Sequence, residues 1–207
     1  MPVLGEQVLD RLEHFVAQVE KRTAAELVVV LAHRAEPYRD IPYRVGALAA
    51  LAVLAGLLFL PAGFHPGWVL AETAVAFGLG FVAGHRSQRL ARWLTTDRRR
   101  ARSIEAAARR AFYERGVSLT RERTGVLLFV GWLERRAVLL ADVGIERQVP
   151  LDEWNAVRRC LAGPEPMRDF PQGLIGCFEP VGELLAERLP AGADNPDEIP
   201  DRPVVIE

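Results

Sequence analysis

Seven polar side chains stand where predicted β-strands begin or end, and their types could support chemistry together. They are Thr23, Glu26, Arg121, Arg123, Thr124, Asp142 and Glu146. Carboxylate oxygens are the ligands that hard cations such as Ca²⁺, Mg²⁺ and Mn²⁺ prefer, and a nearby arginine can bind an anion through two parallel hydrogen bonds. In this interpretation Glu26, Asp142 and Glu146 bind a divalent cation, and one arginine remains for an anion.

A structural interpretation of the same cluster competes with the metal-binding one. Arginines this close compete for the carboxylates, so Glu26 and Asp142 can instead form ion pairs that fix the strand ends. The sequence contains no phosphatase-type Asp-x-Asp-x-Thr, Cys-x5-Arg or P-loop pattern, which removes the usual parts for covalent phosphoryl transfer. The histidines, at positions 14, 33, 65 and 85, lack a Cys or His neighbour at metal-ligand spacing. Whether the chain is an enzyme is left open by these residues.

Three apolar segments predict the strands that bring the cluster together. Glu26–Ala32 is a continuous apolar run suited to a central strand, and Val126–Val130 is a second one. A predicted helix, Asp97–Arg115, joins them, so they should run parallel with a right-handed crossover. The short connection Gly131–Arg136 turns the chain back into an antiparallel third strand, Ala137–Asp142. This order places the polar cluster at one edge of the sheet.

Amphipathic helices complete the predicted α/β fold. Gly5–Lys21, Pro150–Leu161 and Phe170–Leu189 carry apolar residues at helical spacing, and Pro180 should kink or split the last of them. Residues 190–207 form an acidic, Pro-rich tail. Residues 86–110 are rich in arginine and strongly basic, although the net charge of the whole chain is only -1. No nucleic-acid recognition motif accompanies it, so we expect no nucleic acid partner.

Two apolar runs in the middle of the chain predict a transmembrane helical hairpin. Val45–Leu60 has no polar side chain, Trp68–Ala83 is interrupted only by Glu72 and Thr73, and a Pro- and Gly-rich turn separates them. Each run is about 16 residues, or roughly 24 Å of helix, which flanking residues can extend towards the ~30 Å hydrocarbon core. Two buried helices of a soluble protein are the alternative. However, a chain this short has little mass to cover helices that are apolar on every side.

The charge distribution predicts how the hairpin is oriented. Three arginines precede the first run and seven follow the second, whereas the turn has no Lys or Arg. The positive-inside rule then places both termini in the cytoplasm and predicts a two-span protein of the bacterial inner membrane, with the lipid bilayer as a partner. Cys160 and Cys177 lack metal or redox spacing and are expected to be reduced, buried thiols, in agreement with that compartment.

Small residues on the two spans predict close helix packing. They are Ala49, Ala52 and Gly56 on the first span and Ala76, Gly80 and Gly84 on the second. Such faces allow helices to approach closely, and they predict contact with another membrane protein or with a second copy of this chain. Glu72 falls on the second face. It is either a buried acidic group in a helix interface or a residue that reaches the headgroup water near Trp68.

Several separated blocks of the sequence resemble the TPM domain family, which is named for a thylakoid lumen protein, a photosystem II repair protein and a modulator of acetylcholine receptors. The blocks are residues 20–30, 112–116, 120–130, 134–136, 141–146 and 194–201. The resemblance is to the bacterial membrane-inserted branch, and it implies a three-layer α/β/α sandwich with a mixed sheet. It also implies that a relative can bind calcium or another divalent cation, or act as an acid phosphatase. Asp142 stands where the family commonly has the first glycine of Gly-x-Gly-Leu-Glu, so its metal ligands do not carry over directly.

The expected layout is a discontinuous α/β domain, residues 1–44 and 85–207, interrupted by the hairpin at residues 45–84. The leading functional hypothesis is a membrane-anchored interaction or regulatory module at the cytoplasmic face of the inner membrane. The alternative hypothesis is a phosphatase-like hydrolase that depends on a divalent cation such as Ca²⁺, Mn²⁺ or Mg²⁺.

Overall fold

A computed structural model describes residues 6–59, 65–162, 168, 170, 172–192 and 199–206. The chain divides into two compact units. The α/β unit comprises Met1–Glu36 and Arg100–Glu207, and the hairpin unit comprises Pro37–Arg99. The predicted turn at residues 60–64 and part of the predicted tail, residues 193–198, lie outside the described residues.

The α/β unit is built on a four-stranded mixed sheet. Its strands are β1 (Glu26–Ala32), β2 (Gly125–Gly131), β3 (Arg136–Ala141) and β4 (Val204–Ile206), in the order β3-β2-β1-β4. β1 is parallel to both β2 and β4, whereas β2 and β3 are antiparallel. The three predicted strands and their directions are therefore confirmed.

The fourth strand was not predicted from the sequence. It forms near the end of the acidic tail, where Val204 pairs with Val30 and Ile206 pairs with Ala32. A three-residue strand that directly follows Pro203 carries no recognisable alternation, because its pairing depends on a strand far away in the chain. The tail thus contributes an edge strand to the sheet.

Helices of the α/β unit cover both faces of this sheet. The described helices of the whole chain are α1 (Glu6–Glu20), α2 (Asp40–Phe59), α3 (Pro66–Arg86), α4 (Gln88–Leu94), α5 (Asp97–Glu114), α6 (Val143–Gln148), α7 (Leu151–Ala162) and α8 (Gln172–Arg188), of which α2, α3 and α4 belong to the hairpin unit. One hydrophobic core unites side chains of α1, α7 and α8 with Leu27, Val29 and alternate residues of β2. The other unites α5 with Val28, Val30 and the intervening residues of β2. Apolar layers on both sides explain why β1 and β2 are buried at every position, and the predicted α/β/α sandwich is confirmed.

Proline does not split the last helix. α8 runs without a break from Gln172 to Arg188 with Pro180 inside it. Phe178 and Val181 flank the proline and are both buried in the core, so packing on each side offsets the hydrogen bond that proline removes. Of the two outcomes predicted for Pro180, a kink or a split, the split does not occur.

The two cysteines form a disulfide, so the prediction of reduced thiols is wrong. Cys160 of α7 and Cys177 of α8 are bonded, with their Cα atoms 5.6 Å apart. The two helices pack side by side, which places the two cysteines opposite each other although their spacing resembles no known redox motif. Disulfides persist mainly in oxidising compartments. The cysteines therefore no longer support a cytoplasmic location.

The hairpin unit contains two helices that are long and apolar enough to cross a membrane. The mean hydropathy of their most apolar windows is 1.8 for Asp40–Phe59 and 1.5 for Pro66–Arg86, and only 17% and 11% of those windows are buried in the structure. Leu51, Leu58 and Leu70 are largely exposed. Lipid is the surround that makes such exposure favourable.

Polar contacts hold the residues that flank the two apolar helices. Asp40, at the start of α2, accepts hydrogen bonds from both terminal nitrogens of Arg99 at 2.7 and 2.8 Å. Arg44 lies 3.1 Å from the same carboxylate, and the Arg99 guanidinium stacks 5.2 Å from the ring centroid of Tyr38. The start of α2 is therefore tied to the residues that follow α3 and α4 in the chain.

Candidate functional site

The predicted polar cluster lies where β1 and β2 begin and β3 ends. Glu26 opens β1, Thr124 directly precedes β2 and Asp142 directly follows β3. The backbone N–H of Glu26 donates to Thr124 at 3.3 Å, and the backbone N–H of Asp142 donates to Gly125 at 2.9 Å. These bonds follow from the parallel pairing of β1 with β2 and from the antiparallel return of β3.

Asp142 is engaged by an arginine and by a helix terminus. Its Oδ2 atom lies 2.8 Å from Nε of Arg123, and its Oδ1 atom accepts from Nη2 of the same arginine at 3.1 Å. Oδ1 also accepts from the backbone N–H of Val143 at 2.7 Å, so Asp142 is the N-cap of α6. Asp142 is 6% exposed. The structural interpretation of the cluster expects this kind of ion pair.

The loop that presents Arg123 depends on a close approach of two backbones. Arg123 has a φ of 59°, in the left-handed region that non-glycine residues seldom adopt. Its carbonyl accepts from the N–H of Gly144 at 2.9 Å, and a Cβ atom at position 144 would collide with the carbonyl oxygens of Glu122 and Arg123. Gly144, at the second glycine position of the Gly-x-Gly-Leu-Glu pattern, is therefore needed for the backbone contact with Glu122 and Arg123. Asp142, at the first glycine position, serves instead as the N-cap of α6.

Both threonines of the cluster use their hydroxyls to join elements of the fold. Thr23 is fully buried, and its hydroxyl contacts the carbonyl oxygens of Leu185 and Leu189 near the end of α8 at 3.2 and 2.7 Å. The Thr124 hydroxyl donates to the carbonyl of Ala24 at 3.0 Å. These contacts anchor the start of β1 between α8 and β2.

A carboxyl group that the sequence did not single out lies near Glu26. Glu20 ends α1, and its Oε1 atom accepts from the backbone N–H of Leu27 at 2.8 Å. Burial raises the pKa of Glu20 to about 9, against the opposing effect of the Leu27 hydrogen bond and with added contributions from Asp201 and Glu26. Glu20 is therefore protonated at neutral pH and shares a hydrogen bond with Asp201. The sequence did not reveal this contact, because Glu20 and Asp201 lie near opposite ends of the chain and meet only when the chain folds.

The carboxylates proposed for a divalent cation do not fit one. Asp142 is held by Arg123 and by the N-terminus of α6, and Glu146 is exposed on α6. Within the described part of the chain, no group of three or more His, Cys, Asp or Glu side chains is placed to share a metal ion. A hard cation needs several oxygen ligands around one point. Glu26 is buried, and it lies next to Glu20 rather than in a set of ligands around a cation.

The opposite ends of β1 and β2 hold another buried carboxyl group. Glu134 is 3% exposed, and its Oε1 atom accepts from the backbone N–H of Ala35 at 3.1 Å. The backbone N–H groups of Trp132 and Leu133 donate to Ala32 and His33 at 2.9 and 3.0 Å. The connection between β2 and β3, which was predicted only as a turn, therefore continues the hydrogen bonding between β1 and β2. The Glu134 side chain adds a further bond to the segment that follows β1.

The small residues of the hairpin divide into two groups. A Cβ atom on Gly80 would meet Ala49 at 2.8 Å, and one on Gly84 would meet Pro42 at 2.9 Å, so both glycines lie in the contact between α2 and α3. Gly56 has nothing within 4 Å of such an atom, and Ala52 is exposed. These two residues, and the exposed Glu72, face away from the partner helix, whereas Ala76 is half-buried.

Comparison with known proteins gives one structural likeness. No protein family description and no curated protein sequence matches the chain. Among solved structures, the chain is similar to the BA42 protein from the psychrophilic bacterium Bizionia argentinensis, whose structure was determined by NMR. The two are 17% identical, the similarity covers 98% of this chain and 95% of that chain, and the TM-score is 0.57. At this identity the likeness shows a common fold and carries no chemistry.

Proposed function

We propose that this chain is a TPM-type protein anchored in the bacterial inner membrane, whose α/β unit is a non-enzymatic interaction or regulatory module. The observation that carries the proposal is the double engagement of Asp142 by Arg123 and by the α6 N-terminus. The polar cluster that the sequence offered as a candidate chemical site thereby serves to hold the end of β3 next to the starts of β1 and β2. The two apolar helices, α2 and α3, support the anchoring role.

The proposal is tested by metal binding and turnover with the full chain in detergent. We expect Ca²⁺ and Mn²⁺ to leave the thermal unfolding midpoint unchanged and no phosphoester to be hydrolysed. Asp142→Ala should lower the midpoint, because the helix cap and ion pair are lost, without altering either null result. Metal-dependent stabilisation together with turnover that Asp142→Ala abolishes would reverse the proposal in favour of a hydrolase.

We place both termini on the cytoplasmic side. Arginines flank both spans on that side, which favours retention in the cytoplasm. The disulfide between Cys160 and Cys177 argues for the other side, so the orientation needs a direct measurement. In a chain with both cysteines changed to serine, we expect His65→Cys to react with a membrane-impermeant maleimide in intact cells. The matched variant Glu6→Cys should react only after permeabilisation. The reverse pattern would overturn this orientation.

A further inference from the structure

One face of α3 carries an exposed apolar stripe that ends in an arginine. Val75, Leu79 and Val82 are 61%, 68% and 48% exposed, and Arg86, the last residue of α3, is exposed as well. Successive members of this set are three or four residues apart, so they lie on one side of the helix. From Val75 to Arg86 the stripe rises about 16 Å, close to half of the ~30 Å hydrocarbon core of a bilayer. It therefore has the length of one lipid leaflet and a positive charge at its end.

A second arginine and a tryptophan lie beside the charged end of this stripe. Ser87 has an extended backbone and caps α4, so the chain leaves the direction of α3 directly after Arg86. Arg89 and Trp93 are four residues apart on α4 and share a face of it. Both are exposed, Trp93 to 81%. The Cα atoms of Arg86 and Arg89 are at most about 11 Å apart, so their two long side chains can reach the same ligand.

Acidic residues do not neutralise these two arginines. The hairpin unit has seven arginines, and its acidic residues are Asp40, Glu72 and Asp97. Asp40 is already engaged by two other arginines. Within the described part of the chain, Arg86 and Arg89 form no ion pair. A ligand with net negative charge is therefore favoured over a zwitterion, because the arginines repel the amine that a zwitterion carries.

We propose that Arg86 and Arg89 bind the phosphate of an anionic phospholipid such as phosphatidylglycerol. One acyl chain of the lipid lies along the apolar stripe, and the Trp93 ring lies at the level of the headgroup, where amphipathic aromatic rings are enriched. Guanidinium groups bind phosphate oxygens through paired, charge-assisted hydrogen bonds. A nucleotide or an acidic peptide would leave the stripe uncovered, so the charge and the stripe together favour a lipid. The inference rests on the proposed membrane anchor and names the lipid class that it binds.

The test mixes the full chain, in a mild detergent, with phosphatidylglycerol and phosphatidylcholine of the same chain length. Native mass spectrometry counts the lipids of each kind that stay bound. Because each basic residue near an anionic headgroup contributes about fivefold, phosphatidylglycerol should be retained at least about fivefold more often. Equal retention of the two lipids would overturn the inference. Displacement of the bound lipid by soluble glycerol phosphate would also overturn it, because the arginines would then bind a free phosphate ester.

Two matched pairs of variants separate a lipid site from general attraction between charges. Arg86→Gln with Arg89→Gln should reduce the preference for phosphatidylglycerol to less than about twofold. Arg39→Gln with Arg98→Gln removes the same charge from exposed arginines of the same unit and should leave most of the preference. Equal losses from the two pairs would show that the attraction has no fixed site, and the inference would then fail.

Brominated lipids test where the acyl chain lies. The full chain is placed in vesicles with equal amounts of the two lipids, of which one or the other carries bromine on its acyl chains. The fluorescence that Leu79→Trp adds should be quenched more strongly when phosphatidylglycerol carries the bromine. The fluorescence that Leu51→Trp adds, at an exposed position of α2, should be quenched equally in both cases. Equal quenching at position 79 would contradict the proposed site.

Failure here is separable from failure of the proposed function. A chain that needs detergent to stay in solution but retains the two lipids equally is anchored without this lipid site. A chain that stays monodisperse in buffer without detergent is not a membrane protein, and both proposals then fail. Metal-dependent hydrolysis of phosphoesters would overturn the interaction module and leave the lipid preference as measured.

Discussion

The two compact units are both rich in apolar residues, but they place them in different surroundings. In the α/β unit, β1 and β2 are buried at every position between two layers of helices. In the hairpin unit, 17% and 11% of the two apolar windows are buried, and Leu58 and Leu70 are 70% and 73% exposed. Apolar content alone therefore does not define a protein core, and the second unit exposes long apolar helices of a length that could cross a membrane.

Glycines illustrate the same contrast. In the α/β unit, Gly125 admits the carbonyl of Val117 and Gly144 admits the loop at Arg123, so each allows one polar backbone to touch another. In the hairpin unit, Gly80 and Gly84 allow two apolar helices to approach, while Gly56 and Gly78 contact nothing within 4 Å of an added Cβ. Glycine is thus needed for contact between polar backbones at two positions of one unit and for contact between apolar helices along a single face of the other.

The largest expected effect comes from filling a backbone contact in the α/β unit. A side chain at Gly125 would collide with the carbonyl of Val117, so Gly125→Val should lower the free energy of unfolding by more than about 3 kcal/mol. Circular dichroism during denaturation measures it. Gly176→Ala in α8, where an added Cβ meets nothing, is the control and should stabilise by about 0.5–1 kcal/mol. Equal changes in the free energy of unfolding for the two variants would show that the backbone contact at Gly125 does not matter for stability.

A charge on an exposed leucine should separate the two units directly. Leu79 in α3 and Leu119 in the α/β unit are 68% and 81% exposed. Leu79→Arg should cost about 3 kcal/mol of membrane insertion, since it places a charge against lipid. Leu119→Arg should change stability by less than about 0.5 kcal/mol in water. Insertion is read from the membrane-bound fraction in cells, and an equally well inserted Leu79→Arg chain would contradict the lipid surround.

A smaller effect should follow from changing the capping carboxylate. Asp142→Asn keeps a side-chain oxygen for the N–H of Val143 but loses the charge opposite Arg123. It should therefore lower the free energy of unfolding by about 0.5–1.5 kcal/mol, and Asp142→Ala, which loses the cap as well, by about 1–3 kcal/mol. Denaturant titration ranks the two. A stabilised Asp142→Asn protein would indicate that the carboxylate is poorly paired and available for a ligand.

A separate test is the pH dependence of the α/β unit. Because the pKa of Glu20 is raised from 4.5 to about 9, the folded state holds a proton that the unfolded state releases. Its stabilising contribution is complete below the unfolded pKa and is lost as pH rises through the folded one. The unfolding midpoint should fall between about pH 6 and pH 9, and Glu20→Gln should flatten that slope. A wild-type midpoint that rises over this range would show that Glu20 is ionised in the fold.

Local patterns were sufficient to predict much of this architecture. β1 was predicted with its observed bounds because six apolar residues in a row follow Glu26, and α5 because Ile104, Ala108 and Phe112 repeat at helical spacing. The two long apolar helices α2 and α3 followed from the length of their apolar runs. The convergence of Glu26, Thr124 and Asp142 followed from the directions of three strands.

Features that depend on residues distant in sequence were not predictable in this way. β4 forms only by pairing with β1, on the side of β1 that β2 does not occupy. The Cys160–Cys177 bond forms because α7 and α8 pack together. The hydrogen bond between Glu20 and Asp201 depends on where the tail returns. At Asp142 the ion pair with an arginine was one of the two interpretations that the sequence left open, but the helix cap was not predicted, because residue type does not say whether a carboxylate binds a cation or caps a helix.

The position of β1 between β2 and β4 has a consequence for biosynthesis. Both neighbours of β1 are encoded after the hairpin, so β1 leaves the ribosome with no strand to join. The helices α2 and α3 are also made before any of the sheet can form. At about 5–20 residues per second, an apolar segment waits for several seconds until β2 emerges, and it completes its pairing only once β4 has been made. Slowing translation after α3 should therefore expose β1 to chaperones and proteases for longer.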